Sequence, residues 1–385
     1  MQSPSSHTTL LVLFWRIAAG FWSGATARLA WTLSCLLVLA VALQLYVQYK
    51  LNFWSRDFFN AVEQKNATLL WTYALTFVPL AASSLVLTVF SVWGRLKLQR
   101  EWRRVVSRRL YDTWLGNSRY RRLHNTPGEH DTPEYRIADD VRVATDLPVD
   151  LVLGLFSSIL TVTVFVGVLY SIGQGLDLQL LGTDLHLPAY LVVAVICYST
   201  LLTLTTVVIG RRLIGVIERF KAAEAQLRAA GTQVRTNGES GMSFHNPHEC
   251  RSTLYAALDR VIDNWRRLAR ELMRMTAVSH TNSLVAPSIG LLICAPKYIA
   301  GTMTLGAMVQ AAAAFVVVQG AISWFADNFS RFAEWASSAR RVASLVQSLD
   351  RLDHLERQLR DDDLADASDL AGEQARLRLP VQAAE

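Results

Sequence analysis

The sequence predicts an all-α membrane protein with six transmembrane helices that continue as long helical stalks on one side of the bilayer. Three observations carry this prediction. Uncharged runs recur along the chain, each long enough to cross a bilayer as a helix. Lys and Arg crowd into alternate connections between those runs. The helical pattern also continues well past the points where the apolar runs end.

The first segment, "MQSPSSHTTLLVLFWRIAAGFW", has no basic residue before its apolar part, and Arg16 interrupts it early. That is a poor signal peptide. An interfacial elbow helix over 1–27 fits better, with Phe14, Trp15, Phe21 and Trp22 in the headgroup layer. Uncharged runs then cover 29–49, 66–94, 151–172, 187–209 and 298–326, and a sixth, 275–296, holds only His280. About 20 helical residues cross a hydrocarbon core of ~30 Å. Only helices or closed barrels satisfy their backbone in lipid, and these runs lack the alternation of barrel strands. Six runs of this length also argue against a soluble helical core.

Orientation follows from the basic residues. Segment 94–148 holds 12 Lys and Arg, and 211–276 holds another 12. The connections 49–68 and 172–186 are poor in them. Basic segments stay cytoplasmic, so both termini are expected on that side of a bacterial inner membrane. The basic excess is thereby explained without nucleic acid, for which no recognition motif is present. Residues 95–116 place Leu98, Trp102, Val105, Val106, Leu110 and Trp114 on one stripe. Helix from about 69 to 115 would be roughly 70 Å long, with Pro79 as a kink point, and would project beyond the bilayer. The stretches after 211, before 275 and after 326 continue in the same way. The last residues, 354–385, are polar and read as a poorly packed tail.

"RLHNTPGEHDTPEYRIADDVR" (122–142) sits at the tip of the first stalk pair. Pro127, Gly128 and Pro133 break the incoming helix. Asp131 or Thr132 can cap a new one, with Pro133 at its first position and Glu134 near the positive dipole end. A short helix exposed at the far end of a stalk is expected. It is either an ordinary solvated turn or a docking element for a cytoplasmic domain.

Four stretches carry a family resemblance: "LNFWSRDFFNAVEQKN" (51–66), "DTPEYRIADDVR" (131–142), "EAQLR…VRTNGES…HEC" (224–250) and "APKYIAGTMTLGAMVQAAAAFVVVQGAISWF" (295–325). Through them the chain resembles the transmembrane half of exporter-fold transporters related to the SbmA/BacA peptide importers. It also resembles their ATPase-fused relatives and, more distantly, peroxisomal fatty-acyl ABC transporters. The resemblance implies an ABC-exporter (type 1 exporter) transmembrane fold over 28–353 and a homodimer. It implies a first coupling helix at Thr132, Pro133, Glu134, Tyr135, Arg136, Asp139, Asp140 and Arg142, the part that meets the ATPase in fused members. The family favours Asn where Thr132 stands and Gln where Tyr135 stands. It also implies proton-coupling candidates, Asp177, Glu218 and Glu239, where SbmA/BacA transporters carry acidic residues.

No GxxxxGK[ST] and no LSGGQ occur in these residues, so the amide-and-lysine phosphate cradle is missing. No nucleotide-binding domain is expected after 353. No enzymatic activity, cofactor or metal is expected either: the four cysteines are scattered, and "HNPHEC" lacks paired ligand spacing. Arg56, Asp57 and Glu63, just beyond the first span, are candidates for an outer mouth, with Asp184 nearby. Their plainer reading is as solvated carboxylates and an Arg56–Asp57 pair. His280 reads as a helix-packing residue. Trp31, Trp71, Tyr73, Tyr190, Trp324 and Phe325 would give an aromatic cavity wall, although lipid-interface and packing roles account for them as well. The expectation is a homodimeric, lipid-embedded transporter taking up peptide-like or amphipathic compounds, proton-driven without its own ATPase. The alternatives are a permease using a separate ATP-binding subunit and a transport-dead relative.

Overall fold

The computed structural model describes residues 18–122, 133–173, 176–180, 183–187, 189–239 and 247–377. The described residues are nearly all helical. After a one-turn helix α1 (Gly20–Ser23) come α2 (Ala27–Glu63) and α3 (Ala67–Leu115), then α4 (Arg119–Arg122), α5 (Pro133–Tyr135) and α6 (Val141–Ile172). The hairpin β1 (Leu176–Leu180) and β2 (Thr183–Leu187) follows, then α7 (Tyr190–Glu239), α8 (Pro247–Ile299), α9 (Leu305–Asp327) and α10 (Phe329–Leu377). Among the described residues, 6 helices are long and apolar enough to cross a membrane.

The helices run as the sequence suggests because nothing interrupts them. Each peptide N–H in a span must find a carbonyl within its own helix. Pro79 and Pro148 lie inside α3 and α6, and Pro287 and Pro296 lie inside α8. Spanning helices tolerate such prolines. The 49 residues of α3 give a helix of about 73 Å, more than twice a hydrocarbon core of ~30 Å. Of the stripe read from the sequence, its polar half buries Leu98, Trp102, Val106 and Leu110, with Val105 and Trp114 partly buried against the same core; Gln99 is buried beside them.

The chain divides into two units. The first takes the described parts of Met1–Leu43, Val86–Gly154 and Asn328–Glu385. Its core joins Phe21, Leu37, Trp102, Ile137, Val141, Val342, Leu345 and Leu349. Where the sequence suggests headgroup contact for Phe21 and Trp22, the structure places Phe21 fully inside this core. Trp22 meets the Trp102 ring edge-on, with centroids 4.9 Å apart. The reason is local pairing: Trp102 Nε1 donates to the Ala18 carbonyl at 3.2 Å and Trp22 Nε1 to Ser34 Oγ at 3.3 Å. Both indole N–H groups thereby find partners inside the protein. Phe14 and Trp15 lie outside the described residues.

The second unit takes Gln44–Leu85 and Leu155–Asp327. Phe165, Leu169, Leu191, Val195, Cys294, Ala314, Phe315 and Val318 form its core. Small residues let its helices approach closely: a Cβ on Gly290 would stand 2.8 Å from Ala312 Cα. The stretch read as a loop, 172–186, instead carries the hairpin. Its register pairs Asp177 with His186, Leu178 with Leu185 and Gln179 with Asp184. The alternation in "LDLQLLGTDLHL" is the period-2 signal that specifies it. One further difference concerns the polar end: the helical backbone of α10 extends to Leu377, within the segment read as a tail.

Truncating the central indole tests the first core. Trp102→Ala is expected to cost about 3–5 kcal/mol and to lower the melting temperature of the detergent-purified protein markedly. Trp71→Ala, at a residue 70% exposed, should leave it nearly unchanged.

Candidate functional site

The segment read as a coupling helix begins at Pro133, whose missing N–H costs nothing in a first helical turn. One turn later the helix widens into a π-type turn, Arg136–Asp140, and then becomes α6. The structure therefore corrects the expectation of a separate short helix: 133–142 are the opening turns of the third spanning helix. The physical reason is that no Gly or Pro lies between Glu134 and Leu147. Thr132 lies outside the described residues.

The π-type turn divides this segment into two faces. Arg136, Ile137, Asp140 and Val141 are buried, whereas Glu134, Tyr135 and Arg142 are exposed. On the buried face, Arg341 of α10 grips Asp140. Its Nε donates to Oδ1 at 3.0 Å and Oδ2 at 2.9 Å, and its Nη2 donates to Oδ1 at 2.6 Å. The same guanidinium donates to Ser337 and Ser338, and Arg136 Nη1 donates to the Arg341 carbonyl at 3.2 Å. From α3, Arg103 Nη2 donates to the Ala138 carbonyl at 3.0 Å. On the outer face, Arg142 and Tyr135 both donate to Asp139, at 2.9 and 3.0 Å. The Arg142 hydrogen bond, then that from Tyr135, holds the Asp139 carboxyl below the usual range. The hydrogen bond to Asp139 in turn raises the Tyr135 phenol.

Just beyond, Asp150 ties three helices together. Its Oδ2 accepts from Arg331 Nη2 at 2.7 Å, and its Oδ1 accepts from Gln99 Nε2 at 2.8 Å, with Arg95 Nε at 3.5 Å. Sequence reasoning gave Asp150, Gln99, Arg331 and Arg341 no role. A signal was present for Asp150 and Arg331, and for Arg95 beside them: the three stand at or near the ends of the uncharged runs 66–94, 151–172 and 298–326.

The outer-side candidates take a different place. Arg56 Nε pairs with Asp57 Oδ1 at 2.9 Å, and its guanidinium lies 4.8 Å from the Phe53 ring centre. Glu63 Oε2 accepts from Leu305 N and Asn60 Oδ1 from Gly306 N, each at 3.0 Å. Thr304 Oγ1 accepts from Ala307 N at 3.3 Å. Three of the four orphan amides that open α9 are thus capped, two of them by α2. Gly306 is required there, because a Cβ would collide with the Arg56 carbonyl and Asn60. The two stretches 51–66 and 295–325 meet at this cap.

Of the proton-coupling candidates, only Glu218 has its side chain among the described residues. Glu218 is exposed on α7. Glu239 ends α7 and Asp177 lies on β1, and the side chains of both are outside the described residues, as is that of Asp184. The aromatic candidates are also mixed in character: Trp71 and Phe325 are exposed while Tyr190 is buried.

The chain belongs to the ABC transporter transmembrane region 2 family, whose model matches residues 15–299. It is 24% identical over 351 residues to the inner membrane ABC transporter ATP-binding protein YddA of Escherichia coli K12, covering 89% of this chain and 62% of that protein. It is 26% identical over 301 residues to an uncharacterized ABC transporter ATP-binding protein of Synechocystis, covering 78% and 43%. It is 21% identical over 352 residues to the chloroplastic ABC transporter D family member 2 of Arabidopsis thaliana, covering 91% and 47%. The chain thus spans about half the length of such relatives, between 43% and 62% for these three. It is an ABC-type transmembrane region, with 6 helices long and apolar enough to cross a membrane among the described residues.

Two outcomes follow from the geometry around 133–150. Asp140→Ala strands Arg341, whose side chain is 44% exposed. The expected cost is roughly 1–3 kcal/mol, below the ~3–5 of a fully buried pair. Glu134→Ala should stay within about 0.5 kcal/mol, as exposed substitutions do. Thermal melts in detergent separate the two. Burial raises the Asp146 carboxyl above the usual range, with Arg103 and Arg142 partly opposing. A raised folded-state pKa makes the charged form costly at neutral pH, and the cost fades as pH falls through that raised value. Asp146→Asn should therefore raise the melting temperature at neutral pH and flatten its change on mild acidification.

Proposed function

We propose that the chain is the membrane half of an ATP-driven transporter of the bacterial inner membrane. In this reading it receives work from an ATP-binding domain, on the same or another polypeptide, through the outer face of 133–142. The observation that carries the reading is the two-sidedness of that segment. Arg136 and Asp140 fasten one side to α10, while Glu134, Tyr135, Asp139 and Arg142 are left to the cytoplasm. A segment that passes force to spanning helices needs to be fixed on one side and accessible on the other. Continuity of the segment with α6 gives such a force a rigid path into the bilayer.

The working unit in this reading is a homodimer, with both termini cytoplasmic. The most apolar stretch of α3 supports it, since none of that stretch is buried within the single chain. The cargo is peptide-like or amphipathic, by likeness to the SbmA/BacA importers. The domain plan is an elbow segment over 1–27 followed by a transmembrane domain over 28–353.

Two measurements test the reading. A photo-crosslinking amino acid in place of Tyr135, in living cells, is expected to capture a polypeptide or domain containing GxxxxGK[ST], identified by mass spectrometry. Proteoliposomes holding this chain alone, given a fluorescent proline-rich peptide and an inside-alkaline proton gradient, are expected to show no uptake. Gradient-driven uptake without ATP would overturn the ATP-driven reading. It would favour stand-alone proton coupling, with Asp177, Glu218 and Glu239 as the groups to replace next.

A further inference from the structure

A polar pocket lies inside the second unit, between α7, α8 and α9. It has a volume of about 200 Å³ and is lined by Thr203, Thr206, Asn282, Gln319, Ser323 and Asp327, among others. Its surroundings are apolar runs, where each polar side chain is costly unless it has a use or a partner. Part of the set is partnered. Tyr198 Oη donates to Asn282 Oδ1 at 3.0 Å, Asn282 Nδ2 to Gln319 Oε1 at 3.5 Å, and Gln319 Nε2 to Ser323 Oγ at 3.0 Å. Every donor in this chain points onward, toward Ser323. Asp327 lies one helical turn beyond Ser323 on the same face of α9.

Two features of the pocket are left without an internal use. Thr203 Oγ1 is buried with no hydrogen-bond partner, and so is the hydroxyl of Ser199, one turn earlier on α7. Buried hydroxyls that stay unpaired cost free energy and call for a ligand or water to explain them. Asp327, at the rim, has no ion-pair or hydrogen-bond partner among the described residues. No Lys or Arg lines the pocket. A lone carboxylate beside neutral oxygens, with no lining base, selects positive charge. The volume lies below the ~300 Å³ at which pockets for whole small molecules begin, so the site suits one group rather than a whole peptide.

We infer that this pocket binds a single cationic group, with Asp327 as counter-charge and the oxygens of Thr203, Asn282, Gln319 and Ser323 as its neutral partners. The group is either an ammonium carried by a cargo molecule or a free alkali cation. Any link to cargo rests on the transport reading above, whereas the binding itself does not.

The test is therefore a binding measurement on the full chain in lipid nanodiscs. Isothermal titration with butylammonium chloride, with sodium chloride, and with butanol as the neutral control separates the sources. Saturable binding of a cation, with none for butanol, is expected. Binding should weaken about tenfold or more in Asp327→Asn, as loss of a charged hydrogen-bond partner implies, and be kept in Asp327→Glu. Asp327 is exposed at the rim, so this near-isosteric change leaves the fold intact, and a thermal melt checks that. Butylammonium binding that sodium does not displace identifies the amine. Sodium binding, alone or in competition, identifies the free ion. If neither cation binds saturably, or if Asp327→Asn binds as tightly as the natural chain, the inference is overturned. Neither result would bear on the crosslinking at Tyr135, so the two proposals fail separately.

Discussion

A backbone that crosses hydrocarbon has no water to which it can give its amides and carbonyls. That constraint shapes most of what is seen here. It makes each crossing a helix, and it makes the ends of those helices the places where chemistry is needed. At the start of α9, the open amides of Leu305 and Gly306 are met by Glu63 and Asn60 of α2. The cap thereby becomes a joint between two spanning helices. Gly306 belongs to the same solution, since a side chain there would push the cap away. Residues that look like mouth-lining charges in the sequence thus have a structural task to perform first.

The opposite ends of the helices handle charge in a related way. Arg95, Asp150 and Arg331 stand at or near the borders of uncharged runs, each on a different helix, and the fold brings them to one carboxylate. Such a pair is partly solvated and contributes modestly to stability. Its stronger effect is geometric, because it fixes the heights of α3, α6 and α10 relative to one another where they leave the apolar region. The Asp140–Arg341 pair repeats the device further along the first unit, and the bond from Arg136 to the Arg341 carbonyl reinforces it. Between these two clamps the opening turns of α6 become stiff. A stiff segment with a polar outer face suits the coupling role proposed for it.

Much of this architecture is legible in the residues. Six uncharged runs give six crossings, and the Leu98–Trp102–Val106–Leu110 stripe gives the buried face of α3. Less legible is how the segment "PEYRIADD" divides its work. Asp139 and Asp140 are neighbours of identical type, yet Asp139 bonds Tyr135 and Arg142 at the surface while Asp140 is buried against Arg341. Helical periodicity puts them about 100° apart, and only the position of α10 decides which one is covered. The β-hairpin at 176–187 was written in its alternation, but it is short and lies between much stronger helical signals. The polar pocket of the second unit is not legible because Thr203, Asn282, and the pair Gln319 and Ser323 come from three separate apolar runs.

By itself, then, the sequence determined the class of the protein: how often it crosses the bilayer, where the crossings lie, and which parts remain helical beyond them. These are local properties, set by runs of uncharged residues and by the absence of helix breakers, and each can be read from consecutive residues. Only the tertiary structure decided which polar residues are structural and which are left available. That choice depends on partners far apart in the chain, such as Glu63 with Leu305, Asp150 with Arg331, and Asn282 with Gln319. A side chain's role in a membrane protein follows from whether its charge or hydrogen bond is already answered, and the answering group is supplied by another helix.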